Sequence, residues 1–143
     1  MDFLRYLGAF TPAIASVSII VAMFHFKKQM NVNIFIEYTK RYDALMDKFP
    51  ENAFETRLNI SELPKSTNKL TMASLKYLNL CCEEFHLFEQ KLISKKIWEM
   101  WEAEIIRVLR SPLFRREWNN LKNEFVSYPK FIAFVNKAHA INK

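Results

Sequence analysis

Tyr6-Leu7-Gly8-Ala9-Phe10-Thr11-Pro12-Ala13-Ile14-Ala15-Ser16-Val17-Ser18-Ile19-Ile20-Val21-Ala22-Met23-Phe24-His25-Phe26 is a run of 21 residues between Arg5 and Lys27. It holds no acidic or basic charge unless His25 takes a proton. As a helix rising about 1.5 Å per residue it would reach about 32 Å, which matches the hydrocarbon core of a bilayer. The rival readings are a cleaved signal peptide and a helix buried in a globular core. Against the first, the run passes straight into His25-Phe26-Lys27-Lys28 with a basic stop and no small-x-small cleavage site. Residues 1–28 therefore read as an uncleaved transmembrane anchor with the lipid bilayer as its first partner.

The flanks set the expected orientation. Asp2 and Arg5 nearly cancel before the run, whereas Lys27, Lys28, Lys40 and Arg41 follow it. Lys and Arg collect on cytoplasmic flanks. The expectation is a bacterial inner-membrane protein, single-pass, with its N-terminus outside and residues 29–143 in the cytoplasm. Cys81 and Cys82, adjacent in sequence and with no other cysteine to pair with, suit a reducing compartment.

Within the run, Gly8, Thr11, Ala15, Ser18, Ala22 and His25 recur at steps of three and four, and Gln29 continues the series. A mean step of 3.5 sets all seven on one stripe of a helix. Lipid tails give helices no hydrophobic reason to associate, so small residues that permit close approach, and hydroxyls that bond across, supply one. The stripe reads as a transmembrane seam between copies, or as a pore lining in a ring; chance alignment of residues common in any anchor is the third reading. A homo-oligomer follows from either of the first two.

Beyond the anchor the chain reads as helices. One glycine in 143 residues (Gly8) leaves no place for the glycine-dependent phosphate loops and few of the hairpins an all-β fold draws on. Val32, Phe35, Thr39, Tyr42, Met46 and Phe49 keep a helical period, so the first helix of the domain should grow out of the anchor and stop at Pro50. Residues 50–68 read as an irregular stretch, a mobile or partner-contacting loop. A central helix is expected from a cap at Ser66, Thr67 or Asn68 to about Leu92. Others should follow from Ser94 to about Arg110, from Ser111-Pro112 to about Phe125, and from Pro129 onward. The fold class is all-α: an N-terminal transmembrane helix continuing into a cytosolic bundle of four or five helices.

No active site assembles from these residues, and no cofactor is expected. Glu83-Glu84-Phe85-His86 has the Glu-x-x-His spacing of a di-metal helix, but no second copy exists to complete one. Cys81 and Cys82 read as core atoms rather than palmitoylated or redox thiols. No Arg is followed by His at the spacing of the helical ribonuclease motif, so Arg107, Arg110, Arg115 and Arg116 lack a partner base. They do form a basic patch. Residues 94–143 carry ten Lys or Arg against five Glu, five of the chain's six net positive charges. Anionic lipid is one expected partner for such charge, a cytosolic nucleic acid or protein is another, and a solvated face is the plain alternative. Trp98, Trp101 and Trp118 fall at core spacing.

From Tyr77 to Lys137 a hydrophobic helix ending Glu-Glu-Phe-His-Leu-Phe-Glu leads through Leu92-Ile93-Ser94 to a Trp-rich helix. Arg115-Arg116-Glu117-Trp118 and Tyr128-Pro129-x-Phe131-x-x-Phe134 follow. With the anchor, this order is similar to bacterial single-pass helical proteins of uncharacterised function. It also resembles the small membrane accessory proteins of type VI-B CRISPR systems. That resemblance implies a membrane ring, a pore and an antiphage role, with a bundle related to helical ribonucleases but not acting as one. The missing Arg–His pair removes a ribonuclease inference, and no site residue carries over. The sequence reading is a non-enzymatic, homo-oligomeric membrane protein. The alternative is a tethered adaptor that recruits a cytosolic protein or nucleic acid through residues 50–68 or the arginines.

Overall fold

The computed structural model describes the backbone of residues 2–51, 53 and 62–140, and the side chains of these from residue 15 onward. Among the described residues the chain is all-α, with five α-helices and one short 3₁₀ segment and no strand. The helices are α1 (Asp2–Met46), α2 (Asn68–Glu89), α3 (Lys95–Leu109), α4 (Pro112–Leu121) and α5 (Pro129–Ala140), with the 3₁₀ turn Lys122–Phe125 between the last two. Two compact units divide the chain, Met1–Ile36 and Glu37–Lys143.

In the first unit every described side chain from Ala15 to Gln29 is exposed. Phe24 and Phe26 each leave 72% of their surface uncovered, and Ile20 leaves 53%. Among the described residues no helix is long and apolar enough to cross a membrane. The described side chains of the uncharged run are Ala15 to Phe26; those of Tyr6 to Ile14 lie outside them. The helix itself is continuous from Asp2 to Met46, as the unbroken period from Val32 to Met46 leads one to expect.

In the second unit the ends of the helices are written in short polar side chains. Thr67 caps α2 by accepting from the Leu70 N–H at 3.2 Å, Ser94 caps α3 from Ile97 at 3.4 Å, and Ser111 caps α4 from Phe114 at 3.3 Å. Each satisfies one of the N–H groups that a first turn leaves without a carbonyl. Pro112 and Pro129 stand where a missing N–H costs nothing. The helix α2 stops at Glu89, three residues short of the expected end. There the Leu92 N–H reaches back to the Leu87 carbonyl and Lys91 turns left-handed at φ 57°. This is the usual glycine-based helix end, made here without glycine. The helix α4 is likewise shorter than expected, because its last turn tightens to 3₁₀ over Lys122–Phe125.

The central helix is α2, as its several-sided apolar pattern predicts. Leu70, Ala73, Tyr77, Leu78, Leu80 and Cys81 are all buried. Around it stands an aromatic core. Trp98 stacks on Phe88 at 4.8 Å and meets Phe85 edge-on at 5.8 Å, while Trp118 faces Phe125 at 5.6 Å and Phe131 at 6.2 Å. Trp98 and Trp118 are thus core residues, and Trp101 is half-buried against Tyr38 at 5.4 Å.

Candidate functional site

Five residues of the small-residue stripe on α1 have described side chains. Ala15, Ser18, Ala22, His25 and Gln29 are all exposed on α1, and Gln29 donates its amide to Asn33 Oδ1 at 3.1 Å. Gly8 and Thr11 lie outside the described side chains. The stripe is not distinguished by exposure, because Val17, Ile19, Val21 and Met23 on the other faces are uncovered too. A helix that is apolar all round is ordinarily buried in protein or lipid. Here the described side chains from Ala15 to Gln29 are exposed.

The arginines of the basic patch are spent largely on the fold. Arg107 is paired with Glu104 one turn back. Arg115 donates from Nε to the Arg110 carbonyl at 3.1 Å. Arg116 donates to Glu117 Oε1 at 2.9 Å and to the Pro64 carbonyl at 2.6 Å. Glu117 is fully buried and also accepts from the Thr71 hydroxyl at 3.0 Å. One buried carboxylate thereby gathers the approach to α2, the first turn of α2 and the middle of α4. Of the loop expected at 50–68, residues 52 and 54–61 lie outside the described residues.

A second polar cluster lies where the end of α1 meets α2, within the second unit. Glu83 Oε2 accepts from Arg41 at 2.6 Å and from the Tyr38 hydroxyl at 3.2 Å, and the Arg41 guanidinium also lies 4.9 Å from the centre of the Tyr38 ring. The Tyr38 hydroxyl is raised above its ordinary range by burial and by Glu83. Beside this exposed cluster Glu84 is buried, and burial pushes its carboxyl up to about 8 despite the pull of Arg41. Cys81 hydrogen-bonds with Tyr77, and burial holds both far above their usual ranges. Burial with the nearby Glu83 pushes the Cys82 thiol up to about 11. A thiolate is the reactive form of cysteine, so neither thiol is poised as a nucleophile. Glu83 is taken by Arg41 and Tyr38, and His86 is exposed. Among the described residues no three His, Cys, Asp or Glu side chains come together to hold a metal ion.

The sequence reading missed the two buried glutamates. The signal was present. Glu84 continues the face of Tyr77 and Cys81, and Glu117 falls three residues after Phe114 and four before Leu121. Helical periodicity therefore puts each on the covered side. His139 is half-buried with its Nε2 unpartnered, and burial and Arg115 lower its pKa against a hydrogen bond to the Leu109 carbonyl.

An apolar pocket of about 30 Å³ lies among Tyr42, Phe49, Tyr77, Val108 and Phe114. No protein family, curated protein or solved structure matches this chain.

Proposed function

We propose that the protein is a non-enzymatic, membrane-anchored helical module that assembles with copies of itself through the α1 stripe. One observation carries the reading. Large apolar side chains from Val17 to Phe26 stand uncovered on every face of α1, where water would have to solvate them at about 25 cal/mol for each apolar Å². Lipid removes that cost on the broad faces. A second copy removes it on the face where Ala15, Ser18 and Ala22 allow close approach.

Lys27 and Lys28 put the helical unit on the cytoplasmic side in this reading. The pore and the role against phage rest on the resemblance to the type VI-B accessory proteins. The stripe supports a pore only in the sense that a ring of copies would turn it toward a common axis. No specific observation favours the adaptor, since Arg107 and Arg116 are already paired within the chain.

The test is extraction of membranes from cells that make the full chain. The protein is expected to stay with the bilayer through alkaline carbonate and to leave it only with detergent. Release by carbonate alone would remove the anchor and the assembly built on it.

A further inference from the structure

A hollow of about 330 Å³ opens in the helical unit between the last turns of α1 and the middle of α2. Arg41, Lys48, Lys76 and Asn79 line it together with Ala44 and the buried Leu45 and Leu80. The Arg41 guanidinium is already held by Glu83 at 2.6 Å. Lys48 and Lys76 are exposed, with no ion pair among the described residues, and no carboxylate lines the hollow. Like charges around a concavity with low-dielectric walls focus a positive potential in it. That potential is relieved by an anion of matching charge.

We propose that this hollow binds a phosphate group, of the phosphate monoester or diphosphate class. Lysine serves phosphate as a compact point charge with three donors. Two ammonium groups without ion pairs among the described residues, Lys48 from the turn after α1 and Lys76 from α2, with the Asn79 amide beside them, suit a group that offers acceptor oxygens in several directions. A carboxylate, with two oxygens in one plane, would engage fewer of them. The same chemistry is carried by a free phosphate compound and by a phosphomonoester lipid headgroup. This site does not depend on the membrane reading, because both of its walls belong to the second unit.

The experiment is titration calorimetry on the full chain in neutral detergent micelles. Pyrophosphate is one probe and dihexanoyl phosphatidic acid the other, with dihexanoyl phosphatidylcholine as the control lipid. Saturable binding of at least one probe is expected at about millimolar or tighter. Lys48→Gln and Lys76→Gln should each weaken it about fivefold, Lys48→Arg should retain it, and Lys137→Gln on α5 should leave it unchanged. Tighter pyrophosphate binding assigns the site to a free phosphate compound, and tighter phosphatidic acid binding to a lipid headgroup. No saturable binding of either probe, or equal binding by the double Lys→Gln variant with an unchanged helical spectrum, would overturn the proposal. Micelles hold the chain whether or not α1 spans a bilayer, so failure here leaves the anchor reading standing, and the reverse.

Discussion

At Glu84 burial holds a carboxyl well above the ordinary carboxylate range. Its folded pKa of about 8 lies above the value of about 4.3 expected of an unfolded Glu. Between those values the folded protein holds a proton that the unfolded chain has lost. Stability contributed by this group is therefore full below about pH 4, falls as pH rises, and is flat again above about pH 8. The slope in that window approaches 1.4 kcal/mol per pH unit. Glu84→Gln keeps the shape and removes the titration. Urea unfolding of the full chain in detergent at several pH values should show Glu84→Gln gaining on the wild type from pH 5 to pH 8, with no further gain above. Parallel pH profiles for the two proteins would mean that the side chain opens to water in solution.

At the scale of the element, two joints decide how the helices are held. The first is the turn after α2, where Lys91 takes the left-handed conformation at φ 57°. A side chain with a Cβ costs about 1 kcal/mol there, so Lys91→Gly should raise the unfolding midpoint. A loss instead would show that the Lys91 side chain holds the turn. The second joint is Arg116 with the fully buried Glu117 and the Pro64 carbonyl. Removing one partner of a buried ion pair costs about 3–5 kcal/mol, because the other charge is left uncompensated. With 27% of the Arg116 side chain exposed, Arg116→Met should cost less than that, about 1–3 kcal/mol, and the double variant with Glu117→Leu should recover a good part of it. Losses that simply add would mean that the two side chains act independently.

These joints also mark what could be read in advance. The caps at Ser94 and Ser111 were legible, and the one at Thr67 to within a residue, because a hydroxyl ahead of an apolar period has a local job. So were the core positions of Trp98, Trp118 and Cys81, since they sit on faces that repeat every 3.6 residues. Lys91 gave no local sign of a left-handed turn; its conformation is imposed by the Leu92 bond back to Leu87. The hollow at Lys48 and Lys76 was illegible for a plainer reason. Residues 28 apart become neighbours only when the end of α1 is laid along α2.

At the scale of the whole molecule, the proposed self-assembly predicts an outcome that depends on which face of α1 is changed. Ala15, Ser18 and Ala22 repeat at 3.5 residues per turn, slightly tighter than a straight helix. Copies meeting along them would cross at about +20° with backbones close together. Ser18→Leu or Ala22→Leu adds bulk where the backbones meet. Ile20→Leu conserves volume on a face that lipid would cover in any case. Cross-linking and size measurement in mild detergent should therefore find the wild type and Ile20→Leu as oligomers. Ser18→Leu and Ala22→Leu should shift toward the monomer by at least tenfold in dissociation constant, equivalent to about 1.4 kcal/mol of lost packing. All four should give the same helical spectrum, because the changed side chains are exposed on α1. If Ile20→Leu dissociates and Ser18→Leu does not, copies meet on another face of α1. The same preparations in vesicles test for conduction: dye leakage that follows the oligomer through this series marks the stripe as a pore wall, and stable oligomers that hold the dye mark it as a seam alone.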